Sequence, residues 1–311
     1  VVPGIIAVQK SGEPGADASE FWIRGISTFG ATTSALVLVD GVERSFNEIP
    51  VEDIESFSVL KDASATAIYG QRGANGVVLI NTRKGHKGKV KINAKLTYGH
   101  DFRGKIPEYV DGYQYAQREN EDRTGRYESP MYTNQELDII QIGLDPDLFP
   151  NVDWQDLMLK DGASNMSANI NFSGGGDNAR YYVSGSYYKQ DGIYTTNNKL
   201  NDYNTNSTYE RFNYRTNVDL DITKSKVLKI GIGGFLINRT QPGSMVDDIW
   251  DSLSRTTPLS VPRLYSDGRT PGYEEEIDEG EKKVKYFRVS PEVMLTKSGY
   301  KKIWENKMET N

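Results

Sequence analysis

The sequence predicts a mainly β fold in which a small α/β unit precedes the first strands of a transmembrane antiparallel β-barrel. Three observations carry this prediction. Beyond about residue 84, polar and apolar residues alternate, as in strands with one polar and one apolar face. The alternating segments are long, and the connections between them alternate between short and long. Residues 1–84 instead carry short apolar runs separated by turns.

Composition narrows the function classes. The 311-residue chain has a formal net charge of −6, which argues against nucleic acid as a partner. Its mean hydropathy of −0.60 would suit a soluble protein, but alternating barrel strands give the same average. With no cysteine and only two histidines, His86 and His100, the chain excludes its own disulfides and thiolate metal sites. We recognise no convergent carboxylate pair, nucleophile or base, so we expect no enzyme activity, cofactor or metal.

The first 84 residues are expected to form the small α/β unit, because apolar runs without alternation are typical of strands buried on both faces. A turn is expected at Asp40-Gly41, a helical turn near Val51–Ile54, and an alanine-rich helix that begins after Asp62 and ends at Gly70. The predicted strands are Ile5–Gln9, Phe21–Arg24, Ala35–Asp40, Ser56–Leu60 and Val77–Thr82.

Strict alternation defines the strands that follow. In 211–222, for example, Tyr214, Val218 and Leu220 share one face, and polar residues occupy the other. These segments exceed the usual strand of about 5–6 residues and match the roughly 9–11 that cross a bilayer at a tilt. Their alternation predicts that arginine is excluded at Val218 but tolerated at Asn217. The predicted strands are 89–100, 164–174, 179–190, 209–223, 227–238 and 299–311.

The connections between these strands alternate in length. The short ones are 175–178 and 224–226, and the long ones are 101–163, 191–208 and 239–298. Short periplasmic turns and long external loops are typical of outer-membrane barrels. A soluble β-sandwich would also alternate along its strands, but it offers no reason for this regularity in loop length. The run Gly174–Asp177 is therefore interpreted as a turn, and Glu274–Glu281 as a solvated loop.

A glycine-rich loop, GQRGANG, follows the alanine-rich helix and precedes the strand Val77–Thr82. Phosphate-binding loops run in the opposite order, from strand to glycines to helix, so that the anion meets a helix N-terminus. A structural role is therefore favoured, in which glycine permits positive φ angles and close passage between packed elements.

Four segments of the sequence resemble a known family: FWIRGISTFG, LVLVDGV, VEDIESFSVLKDASATAIYGQRGANGVVLINTRKG and YKKIWENKMETN. They are similar to the SusC/RagA family of TonB-dependent outer-membrane transporters of Bacteroidetes, and the resemblance covers nearly the whole chain. It implies a plug domain at 1–84 and the first barrel strands and external loops at 85–311. About six strands of a 22-stranded barrel would lie here. A signal peptide and a TonB box are expected upstream, and the remaining strands downstream.

The resemblance also implies a function and partners. The family imports oligosaccharides or oligopeptides across the outer membrane, with a SusD-like surface lipoprotein as a lid and the TonB complex pulling on a segment upstream of residue 1. A passive porin is the second class that we consider, and a plug ahead of the barrel argues against it. A soluble glycan-binding β-sandwich is the third. The sequence does not distinguish an oligosaccharide from a peptide as substrate.

The resemblance points to three groups of site residues. Arg72 is expected to reach a carboxylate of the barrel wall, and the contact between plug and wall is expected to be polar and lined by water. The plug signature and its contacts with the barrel are Arg24, Gly25, Asp40, Gly41, Asp62, Tyr69, Gly70, Arg72, Gly73, Asn75 and Gly76. A ligand-facing plug loop is expected at Ser27, Thr28 and Phe29, and lumen-facing barrel residues at Arg211, Arg215 and Asp219.

Overall fold

The structure is a computed structural model of the whole chain. It describes residues 5–9, 11–17, 19–23, 35–61, 67–73, 75–104, 107–196, 203–223, 226–242, 246–268, 271, 273–278, 281–286, 291–292, 295 and 300–310. The mainly β prediction is confirmed. No helix in these ranges is long and apolar enough to cross a membrane.

The small sheet contains four strands in the order β4-β3-β6-β5. Strand β6 is central, parallel to β3 and antiparallel to β5. Its alternate side chains are fully enclosed, with Val78 and Ile80 packed against Val39. The strands are β3 (Leu36–Val39), β4 (Val42–Glu43), β5 (Ile54–Leu60) and β6 (Val77–Thr82), preceded by an antiparallel hairpin of β1 (Ile5–Gln9) and β2 (Ser19–Ile23).

Short 3₁₀ segments connect these strands at Phe46–Glu48, Val51–Asp53 and Ala67–Gly73. The predicted turn at Val51–Ile54 is confirmed, and strands β1 and β6 have the predicted bounds. Gly70 interrupts the last segment with a φ of 58°, as its predicted role at the helix end requires. The alanine-rich helix before it falls on residues 62–66, which lie outside the described residues.

The long sheet contains six antiparallel strands in the order β14-β11-β10-β9-β8-β7. All six predicted strands of the second part of the chain are confirmed, most of them one to four residues longer at an end. They are β7 (Gly88–Phe102), β8 (Gly162–Gly175), β9 (Ala179–Asp191), β10 (Thr208–Thr223), β11 (Lys226–Pro242) and β14 (Tyr300–Thr310). Gly174–Asp177 lies at the turn from β8 to β9, where Gly176 N–H donates to the carbonyl of Ala179.

The strand register divides the long sheet into two faces. Arg215 is opposite Ser184 on β9 and Gly233 on β11, so these positions share the inner face. The outer face is apolar and open, with Leu96 and Tyr98 each 73% exposed. Exposing an apolar surface of several strands to water is unfavourable, and lipid is the environment that suits it.

The long connections carry structure of their own, which the sequence reading missed. Helices α1 (Gly112–Gly125), α2 (Asn134–Ile142) and α3 (Trp154–Met158) lie between β7 and β8, and α4 (Val246–Arg255) follows β11. The solvated loop expected at Glu274–Glu281 is wrong, because this segment lies in a hairpin of β12 (Tyr273–Asp278) and β13 (Glu281–Tyr286). Its register sets Glu274 opposite Lys285 and Glu276 opposite Lys283.

Candidate functional site

The small sheet lies against the inner face of the long sheet, and the contact centres on Arg215 of β10. The Arg215 side chain is 9% exposed and lies between two carboxylates of the small sheet. Its Nη1 is 3.6 Å from Asp40 Oδ2, and its Nε is 3.8 Å from Asp53 Oδ2. One cation of the long sheet therefore faces two anions of the small sheet.

Asp53 is the more deeply buried of the two carboxylates, at 2% exposure. It ends the 3₁₀ segment Val51–Asp53, whose turn Asp53 closes by donating its N–H to the carbonyl of Pro50. Its Oδ1 accepts a 2.8 Å hydrogen bond from the hydroxyl of Tyr182 on β9. Burial raises the pKa of Asp53, while hydrogen bonds with Ser184 and Tyr182 and the charge of Arg215 act to lower it.

Asp40 reaches the site from the predicted Asp40-Gly41 turn between β3 and β4. Both residues have positive φ, 49° and 86°, as a two-residue hairpin turn of the Asp-Gly type requires. The Asp40 carboxylate accepts from Thr82 twice, from its N–H at 2.9 Å and from its hydroxyl at 2.6 Å. The turn thus fixes the carboxylate that Arg215 meets.

Asn217, two residues along the inner face from Arg215, forms the second contact. Its Nδ2 donates to the Thr82 hydroxyl at 3.1 Å and to the Arg83 carbonyl at 2.8 Å. Thr82 is completely buried. An arginine at this position would lose both hydrogen bonds and meet the end of β6, a cost that the predicted tolerance of arginine at Asn217 did not include.

A third contact lies nearer to solvent. Lys95 of β7 donates a 3.0 Å hydrogen bond to Glu52. Burial acts to raise the pKa of Glu52, but this hydrogen bond and the Lys95 charge prevail and hold the pKa below its usual value. Since the Lys95 side chain is 63% exposed, this pair adds little to stability.

These contacts make the interface between the sheets polar, as expected, but its centre is buried rather than lined by water. An exposed ion pair contributes about 0–1 kcal/mol. Removing one partner from a buried pair costs about 3–5 kcal/mol, because the other charge is left uncompensated. The arrangement performs no bond chemistry, and what it can do is hold one sheet against the other through a few directional contacts.

The structure places the expected barrel residues Arg211, Arg215 and Asp219 together on the inner face of β10. Arg211 donates to the backbone carbonyl of Asn47, so it too contacts the first part of the chain. Asp219 lies beside Arg180 of β9 and Lys229 of β11 in the register, between two cations.

Arg72 contacts a different partner from the one expected. It pairs with Glu43 of β4, which belongs to the small sheet and not to the surrounding wall. Among the described residues, Arg72 therefore meets a carboxylate of the small sheet, and its contact with the wall stays a prediction. Tyr69, Gly70, Gly73 and Asn75 lie in the same glycine-rich segment. The other expected positions, Arg24, Gly25, Asp62, Ser27, Thr28 and Phe29, fall outside the described residues.

Two glycines permit close approaches, one before β6 and one where the chain enters the long sheet. Gly76 has a φ of 94°, and a Cβ there would lie 2.7 Å from Cδ1 of Ile23. A Cβ on Gly85, just before β7, would overlap the backbone of Tyr181 on β9. Glycine is required at Gly85 because backbone atoms approach it directly.

Sequence reasoning missed several residues of this site. Tyr182, Ser184 and Asn217 could have been found from the face that they share with Arg215. Asp53 gave no such signal, because an aspartate in a short helical turn is common at exposed positions.

The acidic residues of the long connections have structural roles. Asp153 caps α3 by accepting from the N–H groups of Gln155 and Asp156, each at 3.0 Å. Asp145 accepts from Leu148 N–H, and Asp147 from Ser266 N–H. Within the described ranges, no group of three or more His, Cys, Asp or Glu residues is placed to hold a metal ion.

Comparisons with known proteins agree with this architecture. Residues 1–77 match the family model described as the TonB-dependent Receptor Plug Domain. TonB-dependent receptor P3 of Formosa agariphila is 35% identical over 234 residues, which are 75% of this chain and 20% of that protein. TonB-dependent receptor SusC of Bacteroides thetaiotaomicron is 29% identical over 210 residues, 63% of this chain and 19% of that protein.

The fold also matches a solved transporter. The RagAB peptide transporter has a TM-score of 0.67 with 23% sequence identity, over 91% of this chain and 33% of that chain. At this identity the likeness concerns the fold. The chain spans about a fifth of the length of the curated relatives it matches. From the plug match, the curated relatives and the shared fold, we conclude that the chain belongs to the SusC/RagA-type TonB-dependent receptors.

Proposed function

We propose that the chain supplies the plug and the first wall strands of a transporter in the outer membrane. Residues 1–84 form the plug, and 85–311 form wall strands and external loops. The transporter imports an oligosaccharide or another large nutrient, with TonB supplying work from the periplasm and a SusD-like lipoprotein covering the external side. Membership of the TonB-dependent receptors supports this proposal.

The observation that carries the proposal is the position of Arg215 between Asp40 and Asp53. An importer with a plug must keep its lumen closed at rest and yet allow the plug to be displaced. Directional polar contacts suit this task, because they are lost over a short displacement and can reform. A continuous apolar core between plug and wall would resist displacement over its whole area, at about 1.5–3 kcal/mol for each large side chain that becomes exposed.

Displacement would break the contacts in a definite way. A pull on a segment upstream of residue 1 must separate Asp53 from Tyr182 and Arg215 before the small sheet can leave the wall. The buried charges then become hydrated, which offsets part of the lost attraction. This accounts for a contact that is stable at rest without being permanent.

A reversible tether tests the proposal. Asp53→Cys with Ser184→Cys places two thiols where a hydrogen bond now joins the plug to the wall, in a chain without cysteine. We expect substrate uptake by cells that express the full-length transporter to stop when the pair is oxidised and to return on reduction. Comparing the two redox states of one variant removes the effect of the substitutions themselves.

A matched control uses Asn213→Cys with Ser186→Cys. The side chains of Asn213 and Ser186 also meet, at 3.1 Å, but both belong to the long sheet. Oxidation of this pair should leave uptake unchanged. If uptake survives complete oxidation of the Asp53–Ser184 tether, displacement of this part of the plug is not the mechanism.

An oligopeptide is the second candidate substrate. The solved relative of this fold is described as a peptide transporter. Uptake assays with labelled oligosaccharides and labelled oligopeptides, in cells with and without a functional TonB, distinguish the two candidates. Uptake that does not depend on TonB would indicate the passive porin instead.

A further inference from the structure

A second polar region lies at the end of the long sheet where the long connections begin, away from Arg215. It is a cavity of about 570 Å³, bounded by the turn of the β1–β2 hairpin and by the ends of β7, β8 and β9. This volume is within the usual range of ligand sites, about 300–1,000 Å³. Helix α4 contributes Trp250 to its lining.

The lining is acidic. Glu13, Asp17, Asp101 and Asp191 contribute four carboxylates, and Arg103 is the one cation among the described residues that line the cavity. Lys189 lies 3.9 Å from Asp191 and compensates part of this charge, whereas Arg103 lies 3.5 Å from Asp161, which is outside the lining. Carboxylates only accept hydrogen bonds, so they select a ligand that is rich in donors.

Two buried polar atoms of the lining lack a partner among the described residues. Gln190 is 9% exposed and donates from Nε2 to Asp101 at 3.5 Å, while its Oε1 accepts no hydrogen bond. Arg103 Nη1 is also buried without an acceptor. A buried polar group without a partner costs about 1–3 kcal/mol. The cavity thus offers both an acceptor and a donor to a ligand.

Aromatic rings complete the lining. Trp250 is 40% exposed, and its ring centroid lies 6.1 Å from that of the buried Tyr194. Tyr188, on the inner face of β9, also lines the cavity. An exposed ring held by a buried one provides a flat apolar surface beside the polar atoms.

The turn that bounds the cavity is fastened to the long sheet. Ser207 donates a 2.9 Å hydrogen bond to Glu13, and Arg239 donates one of 2.8 Å to the carbonyl of Gly15. A ligand in the cavity would therefore contact the plug and the wall at the same time.

We propose that this cavity is a subsite for a neutral oligosaccharide and that its carboxylates discriminate against sulfated or uronic-acid glycans. Each sugar hydroxyl both donates and accepts hydrogen bonds. It can donate to the carboxylates and to Gln190 Oε1, and it can accept from Arg103 Nη1. The sugar ring has an apolar face for Trp250. An anionic glycan meets the same surface with like charges, which costs affinity in a partly enclosed site. This inference rests on the proposed function, because it assigns the substrate class of that importer.

Binding to the purified full-length transporter tests the inference. The probes are neutral hexasaccharides from glucan, mannan, xylan and galactan, their chemically sulfated forms, and a lysine-rich peptide. We expect at least one neutral probe to bind, and we expect the affinity of its sulfated form to be lower by about tenfold or more. Trp250→Ala should weaken the neutral probe by about tenfold. Binding of the peptide alone, or of no neutral probe, overturns the proposal.

Charge variants separate recognition from folding. Asp17→Asn with Asp101→Asn should raise the affinity of the sulfated probe about tenfold while changing that of the neutral probe by less than about threefold. Asp122→Asn on α1 is the matched control, since Asp122 pairs with Arg126 outside the cavity. An unchanged preference in the cavity variant contradicts the assignment, because the carboxylates would then not select the ligand.

The two proposals fail in different ways. If uptake of the bound glycan by intact cells does not require TonB, the proposed function is wrong whatever the cavity binds. If uptake requires TonB but Asp17→Asn with Asp101→Asn leaves the preference between neutral and sulfated glycans unchanged, only the subsite is wrong.

Discussion

The hydroxyl of Tyr182 donates a 2.8 Å hydrogen bond to the buried carboxylate of Asp53. The two residues are 129 positions apart in the chain and belong to different sheets. This bond joins the plug to the wall at a point from which water is largely excluded, because Tyr182 and Asp53 are each 2% exposed.

Tyr182→Phe should weaken the attachment of the plug. The change removes one donor to a buried carboxylate and leaves the ring in place, which costs about 1–3 kcal/mol. The free energy of unfolding of the full-length protein in detergent, from urea titration, measures the loss. Tyr98→Phe is the control, since Tyr98 is 73% exposed on the outer face. Equal stability of the two variants would show that the bond contributes nothing.

Arg215→Met should cost more, about 3–5 kcal/mol. The methionine fills much of the same space but leaves Asp40 and Asp53 without their shared cation. Protease digestion of the plug in the folded full-length protein should become faster. Arg211→Met is the matched control, because Arg211 contacts a backbone carbonyl near the surface and should cost less than about 1 kcal/mol. Similar digestion rates for both variants would contradict the central role of Arg215.

Asp53 should make plug attachment depend on pH. Its pKa is raised, chiefly by burial, above the ordinary value of 3.8. At pH values between the ordinary pKa and the raised pKa of the folded protein, the folded state binds more protons than the unfolded state. The stability contributed by this group therefore increases as the pH falls through the raised pKa. The increase ends below the ordinary value. Asp53→Asn should remove this slope, and parallel pH profiles of unfolding for the two proteins would contradict the assignment.

The strands of the long sheet could be predicted because a long alternation of polar and apolar residues fits few structures other than a β-strand with one polar and one apolar face. The alternation around Arg215 was enough to assign each residue of this strand to the inner or the outer face. It could not fix the partner, because the distance between two sheets depends on how the chain passes between them. Arg72, expected to contact the wall, pairs with Glu43, while Asp53 gave no signal and lies at the centre of the contact.

The long connections were harder to predict for a different reason. Their helices are short, and they are stabilised by packing on each other. Met158 of α3, for example, is buried with Ile249 and Leu253 of α4, about 90 residues later in the chain. The β12–β13 hairpin joins an acidic run to a basic run in its register, and either run resembles a solvated loop when it is considered alone.

The two faces of the long sheet should respond differently to arginine. Leu96 and Thr97 are neighbours near the middle of β7, with Leu96 on the outer face and Thr97 on the inner one. Leu96→Arg should cost about 2–4 kcal/mol if the outer face meets the middle of the bilayer, and Thr97→Arg should cost much less. The yield of folded protein in outer-membrane fractions measures this. Equal yields would contradict the assignment of the outer face to lipid.

Gly85→Ala should impair folding, because the substitution acts where the chain enters the wall. The added methyl group would overlap backbone atoms of Tyr181, which sit in the ladder between β8, β9 and β10 and cannot move aside as a flexible side chain could. Overpacking of this kind costs about 1–3 kcal/mol, and more where the neighbours are rigid. Gly185→Ala is the matched control on the same strand as Tyr181, since a Cβ there meets nothing within 4 Å. The folded fraction, read from the migration of unheated samples in gels, should fall for Gly85→Ala only. If both variants fold as well as the parent protein, the close approach at Gly85 is not what positions the plug against the wall.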